Sequence, residues 1–144
     1  MSFKILSIYN ARELVDREPL MLNVISAETT EMVDPKLCKN HLALVMDDVD
    51  DNYSEMWGGD PETMGVVFPE KRHIIEAVLF DKRHGVDLIH CHAGISRSTA
   101  IGYSVLRGRG MSKWDALNEI YKIVPSAMPN RRIVRFADEI YGRK

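Results

Sequence analysis

Only two of the 144 residues are cysteine, Cys38 and Cys91. They could form one bridge at most, and a domain of this length buries about 68–70% of its unfolded surface without one. Both are therefore expected to be free thiols of a reducing compartment rather than parts of a disulfide framework. Net charge is also nearly absent: 19 basic side chains face 21 acidic ones, leaving a formal charge of −2. Without a whole-protein positive field, nucleic acid is not an expected partner. Nowhere is there a run of about 18 apolar residues, the length of a membrane span. The beginning, Met1-Ser2-Phe3-Lys4 followed by Ile5, Leu6 and Ser7, lacks the apolar run of about 7–15 residues that a secretory signal carries. A cytoplasmic protein with no membrane partner is expected. Internal repeats, low-complexity tracts and linkers are missing too, so residues 1–144 are expected to form one domain.

What is present is the composition of an ordinary globular domain, 45% hydrophobic and 28% charged. Short apolar runs alternate with stretches of helical spacing, which predicts an α/β fold with a central, mostly parallel sheet flanked by helices. Phe3–Tyr9 reads as a first strand, and Asn10 with Glu13 as a capping-box-like start of a short helix carrying Leu14 and Val15. Leu20–Ser26 reads as a second strand. After the polar stretch around Pro35, His41–Met46 reads as a third, ending in the acidic cluster Asp47, Asp48, Asp50 and Asp51.

Residues 49–68, with Gly58, Gly59, Pro61 and Gly65, form a long connection whose Met56 and Trp57 either line a pocket or cover the core. Pro69 and Glu70 suit the start of a helix with the apolar stripe Ile74, Ile75, Val78 and Leu79, ending near Gly85. Val86–His90 is a buried-strand candidate. From Arg97 to Leu106 a helix buried against the sheet is expected, ended by Gly108 and Gly110. Ser112 can cap a helix carrying Trp114, Leu117, Tyr121 and Val124 before Pro125. A last helix follows Pro129, with Ile133, Ala137 and Ile140 on one side.

The chemistry is concentrated in His90-Cys91-His92-Ala93-Gly94-Ile95-Ser96-Arg97-Ser98-Thr99, between a predicted strand and a predicted helix. An arginine six positions after a cysteine is a weak signal alone, since 11 of the 144 residues are arginine; six residues after Cys38 stands Leu44. Around Cys91 the spacing comes with a glycine inside the loop, a hydroxyl residue after the arginine and a helix opening at Arg97. A loop that turns from strand into helix can aim its backbone N–H groups at an anion, and the helix N-terminus reinforces them. Gly94 gives the backbone angles that a side chain forbids. The planar guanidinium of Arg97 can meet two phosphate oxygens at once, as a lysine cannot. The same positive potential favours the thiolate of Cys91 at neutral pH. His92, Ala93, Gly94, Ile95, Ser96 and Arg97 are accordingly expected to bind the phosphate of a substrate, or a phosphate-like anion.

Blander readings stand beside these. Cys91 as a mere buried thiol is outweighed by the phosphate-cradling context. A metal at His90, Cys91 and His92 is not expected, because a strand sends adjacent side chains to opposite faces and no CxxC or HxxxH partner is present. Cys38 reads as a small buried residue; a resolving thiol would have to touch Cys91. Arg131 and Arg132 read first as a solvated helix start and only second as a further phosphate clamp.

The segment HCHAGISRST resembles the signature His-Cys-x-x-Gly-x-x-Arg-Ser/Thr of the Cys-x5-Arg protein tyrosine phosphatase superfamily at each fixed position: His90, Cys91, Gly94, Arg97 and Ser98. The likeness is to its small dual-specificity-like members, compact bacterial ones included. Pro129-Asn130 is similar to a Pro-Asn that precedes the last helix in related phosphatases, whereas before about residue 38 the likeness is weak. The resemblance implies a protein tyrosine phosphatase-like fold and a phosphatase that needs no cofactor. By that resemblance Cys91 attacks phosphorus and forms a phosphocysteine, Arg97 and the loop amides stabilise the equatorial oxygens, Ser98 hydrogen-bonds the sulfur, and His90 holds the loop from behind. The family also uses an aspartic acid to protonate the leaving group. Asp48, at the end of a strand similar to the family's, is the expected acid, but its 43-residue distance from Cys91 leaves Asp47, Asp50 and Asp51 as rivals. The implied substrate is phosphotyrosine, with phosphoserine and phosphothreonine added if the pocket is shallow. The alternatives are a phosphorylated small molecule, such as an inositol phosphate or phosphoinositide, and a phosphate-binding module without turnover.

Overall fold

Four short strands, Lys4–Leu6 (β1), Asn23–Ala27 (β2), Asn40–Leu44 (β3) and Leu88–His90 (β4), form one sheet in the order β1-β4-β2-β3 with every pairing parallel. The computed structural model describes residues 2–52, 65–142 and 144; Met56 and Trp57 lie outside the described residues. β2 and β4, at the centre, are buried at every position, as strands covered on both faces must be. Their alternation assigns the two faces. Val24 pairs with Leu88 and points to a cluster with Ile8, Ala11, Leu14 and Val15 of helix α1 (Ile8–Arg17). Ile25 pairs with Ile89 and points to the larger cluster, built with α2 (Lys71–His84), α3 (Arg97–Gly108), α4 (Lys113–Ile123) and α5 (Arg131–Tyr141). This is the mostly parallel α/β arrangement that the sequence predicts. Among the described residues no helix is long and apolar enough to cross a membrane.

Several element boundaries differ from expectation, each for a local reason. The first strand stops at Leu6, because Ser7 rather than Asn10 caps α1: its side chain accepts the Asn10 N–H, so the helix opens at Ile8. The second strand begins at Asn23, three residues later than Leu20. In α4 the buried residues are Ala116 and Ile120, while Trp114 and Tyr121 are exposed. The helix packs through Ile120 against Gly102 of α3, where a Cβ would come within 3.1 Å of it, and that approach turns the large aromatics outward. In α2 the core side is Ile74, Ala77 and Val78, leaving Ile75 and Leu79 exposed.

The carboxyl ends of parallel strands lie along one edge of the sheet, where open α/β folds bind ligands. Ser7 follows β1, Glu28 follows β2, Met46 to Asp48 follow β3, and Cys91 follows β4.

Candidate active site

Cys91 leaves the central strand β4 and Arg97 opens α3, so the intervening residues must turn from sheet to helix within one short loop. Gly94 makes that turn possible twice over. Its φ is +77°, and a Cβ there would lie 2.7 Å from the Leu6 carbonyl carbon and from the Ser7 nitrogen. The loop thus lies on the end of β1, where Ile8 N–H donates to the His92 carbonyl at 3.1 Å. Its other side is tied down by Met128 N–H to the Ile95 carbonyl (3.0 Å) and Asn130 N–H to the Ser96 carbonyl (3.1 Å). Among the described residues the amides of Ala93, Ile95 and Ser96 have no acceptor. Ser96, the N-cap of α3, does not cap it with its side chain, so the helix start also keeps its donors for an anion.

Cys91 is buried, and its Sγ lies 3.2 Å from the Gly94 N–H and 3.1 Å from Ser98 Oγ. A thiolate accepts from both. Arg97 is 9% exposed and its Nη1 donates to Glu28 Oε1 and to the Met46 carbonyl, both at 3.1 Å. Its Nε is buried with no hydrogen-bond partner among the described residues. One edge of the guanidinium is therefore fixed, and the Nε edge is the one that can meet an anion. Glu28 is itself only 3% exposed, with His92 Nδ1 4.0 Å from its Oε2. A buried charge persists only when paired, so Glu28 and Arg97 hold each other in place. Sequence reasoning did not single out Glu28; the available signal was a carboxylate placed directly after the apolar run of the second strand.

The four aspartates separate by partner. Asp48 is exposed, and its Oδ1 accepts from Ser96 Oγ at 2.7 Å and from Asn130 Nδ2 at 3.0 Å. This brings it to the loop and leaves Oδ2 without a hydrogen bond among the described residues. Asp47 turns away, accepting from Thr29 Oγ1 and the Val67 N–H. Asp50 accepts from the Asn52 N–H. Asp51 pairs with Arg132 and Arg135, which hold its carboxyl below the usual carboxylate range. Asn130 works twice: its Oδ1 caps α5 through the Ile133 N–H, and its Nδ2 holds Asp48 and the Val49 carbonyl. A cleft of about 560 Å³ opens here, lined by Asp48, Asp50, Ser96, Tyr121, Met128 and Arg131 among others.

Behind the loop, His90 is fully buried. Its Nδ1 lies 3.2 Å from the Cys91 carbonyl, an acceptor, so Nδ1 carries the proton; Nε2 then accepts from Ser26 Oγ at 2.6 Å, and Ser26 in turn accepts from His41 Nε2 at 2.7 Å. Burial pushes the His90 pKa down from 6.5 to about 4, and lowers His41 in the same direction. A depressed histidine contributes stability in full above its unfolded pKa, and that stability is lost as pH falls, because the unfolded chain takes up the proton first. Stability is expected to fall between pH 6.5 and about 4, by on the order of 3 kcal/mol at the acid end, and the melting temperature falls with it. His90→Gln should flatten this limb, and an acid limb identical in the variant and the parent would refute the assignment.

Cys38 packs with Val33, Val24 and Leu88 in the α1-side cluster, and its Sγ donates to the Asp34 carbonyl. Among the described residues no group of three His, Cys, Asp or Glu side chains is placed to hold a metal ion.

Comparison with known proteins places this site in context. No family model matches the chain, and no curated protein matches it either. Solved structures do. DUSP15 is similar at 26% identity and a TM-score of 0.62, over 94% of this chain and 80% of its own. Tk-PTP in its active form is similar at 19% identity and a TM-score of 0.65, over 98% and 90%. A mouse protein of the dual specificity phosphatase type, complexed with zinc tungstate, is similar at 21% identity and a TM-score of 0.58, over 91% and 75%.

Proposed function

We propose that this chain, which belongs by fold and by signature with the small dual-specificity-like protein tyrosine phosphatases, hydrolyses phosphotyrosine through a phosphocysteine on Cys91. One observation carries the reading. The sulfur receives two donors at the base of a loop whose remaining amides are unpaired, beside a buried guanidinium with one edge free. Those groups match a phosphoryl group in transfer, with negative charge on three equatorial oxygens and a nucleophile in line behind the phosphorus.

In the first step the Cys91 thiolate forms the S–P bond as the P–O bond to the tyrosine breaks. Asp48 Oδ2 gives its proton to the departing phenolate oxygen. In the second, Asp48 takes a proton from a water that attacks phosphorus, inorganic phosphate forms, and the S–P bond breaks. Ser98 Oγ–H and Gly94 N–H stabilise the thiolate that leaves. Every charge in the sequence is met by the protein's own groups. That tungstate, a phosphate-like anion, is bound in the mouse protein's structure agrees with an anion at this loop.

Asp48→Asn tests the acid. It is expected to lower kcat by about 10²–10⁴-fold on aryl phosphates with poor leaving groups, and far less where the leaving group needs no protonation. The acidic limb of the pH–rate profile should change with it. Asparagine at 47, 50 or 51 should show no such leaving-group dependence; finding it at one of those positions, with Asp48→Asn near normal, would move the role.

A further inference from the structure

The first turn of α5 carries Arg131 and Arg132 and no acidic residue, a placement that the positive end of the helix dipole disfavours. Arg132 is accounted for: it donates to the Pro69 carbonyl, pairs with Asp51, and stacks over Phe68 and Phe136. Arg135 is accounted for by Asp51 and Glu139. Arg131 is exposed, and its side chain makes no hydrogen bond or ion pair among the described residues. Local rules are broken at functional sites more than elsewhere.

Its location gives it something to meet. Arg131, Tyr121 and Pro129 line both the cleft beside Asp48 and Ser96 and a second one, of about 390 Å³, between α4 and α5. The two clefts are thus neighbours that meet at Arg131, Tyr121 and Pro129: the first reaches the phosphate loop at Ser96, and the second lies over Leu117 and Val134. Other charges along the second cleft are already paired: Asp138 with Arg107 and Lys113, Glu139 with Lys71 and Arg135. A compact, highly anionic metabolite gains nothing from apolar walls beyond the first cleft. An extended peptide does.

We propose that Arg131 sets substrate specificity by reading an acidic side chain beside the phosphotyrosine of a peptide lying along these two clefts, an inference that rests on the phosphotyrosine reading above. The test compares kcat/KM for two phosphotyrosine peptides identical except for Glu or Gln at the flanking positions. The parent is expected to favour the Glu peptide by about 1.5- to five-fold, the range of an exposed ion pair, with the preference shrinking as salt is added. Arg131→Gln should bring the ratio to about one, and Arg131→Glu should invert it, so that the Gln peptide is used better than the Glu peptide. Because the ratio is read within each variant, any loss common to both peptides cancels. Equal use of both peptides by the parent, or a ratio that neither substitution moves, overturns the role of Arg131. Preference for an inositol phosphate over both peptides overturns the substrate class. Failure to turn over any peptide or aryl phosphate instead overturns the phosphatase reading, a result distinct from the others.

Discussion

Cys91→Ser is expected to lose at least about 10⁴-fold in turnover, the scale on which nucleophile deletions act, and yet to keep its affinity for tungstate or phosphate. The two expectations come from different atoms. Attack on phosphorus needs an ionised sulfur, stabilised by the Gly94 N–H and Ser98 Oγ; a serine hydroxyl in the same place stays protonated and is a far weaker nucleophile. Anion binding needs the unpaired loop amides, the uncapped start of α3 and the free edge of Arg97, none of which the substitution touches. Rapid quenching of the parent with a phosphorylated aryl substrate should trap one phosphoryl group per chain on the protein, and the Cys91→Ser variant should trap none. Calorimetry with tungstate checks the other half. Residual turnover near the parent's would refute the nucleophile, while lost turnover together with lost anion binding would mean that Cys91 shapes the loop rather than attacks.

How far such a site can be read without coordinates depends on how local it is. Cys91, Gly94, Arg97 and Ser98 fall within eight residues, and the demands of a strand-to-helix turn around an anion act directly on that stretch. Its surroundings are not local. Glu28 is 69 residues from Arg97, and Ser26 is 64 residues from His90; only the parallel pairing of β2 with β4, which sets Ser26 beside His90, brings them together. Asp48 could be chosen over its neighbours only by likeness to known phosphatases, since strand alternation does not say which face meets Cys91. The bonds from Ser96 and Asn130 now separate it from Asp47, which binds Thr29 and Val67. Helix faces failed for a related reason. Helical spacing in α4 suits Trp114 and Tyr121 as well as Ala116 and Ile120, and the choice between them is made by the close approach to Gly102, more than ten residues away in the chain. Propensity and period define the elements; tertiary contact chooses their faces.

Arg97→Lys, which keeps the charge, is expected to cost about 10³-fold in kcat, comparable to removing a donor from a preorganised anion site. The guanidinium serves two masters at once. Nη1 is committed to Glu28 Oε1 and the Met46 carbonyl, which leaves the Nε edge for the phosphoryl oxygens. A lysine ammonium has a single nitrogen. If it goes to the buried Glu28 it abandons the substrate, and if it goes to the substrate it leaves a carboxylate only 3% exposed without its partner. Either way the transition state loses its two-pronged contact. Glu28→Gln offers the control, since its amide oxygen can still accept from Nη1. Acting only through Arg97, it should cost less than Arg97→Lys alone, and combining the two substitutions should cost no more than Arg97→Lys. Independent, additive losses would show that Glu28 acts elsewhere, and wild-type kcat in Arg97→Lys would show that the free guanidinium edge is not what stabilises the transferring phosphoryl group.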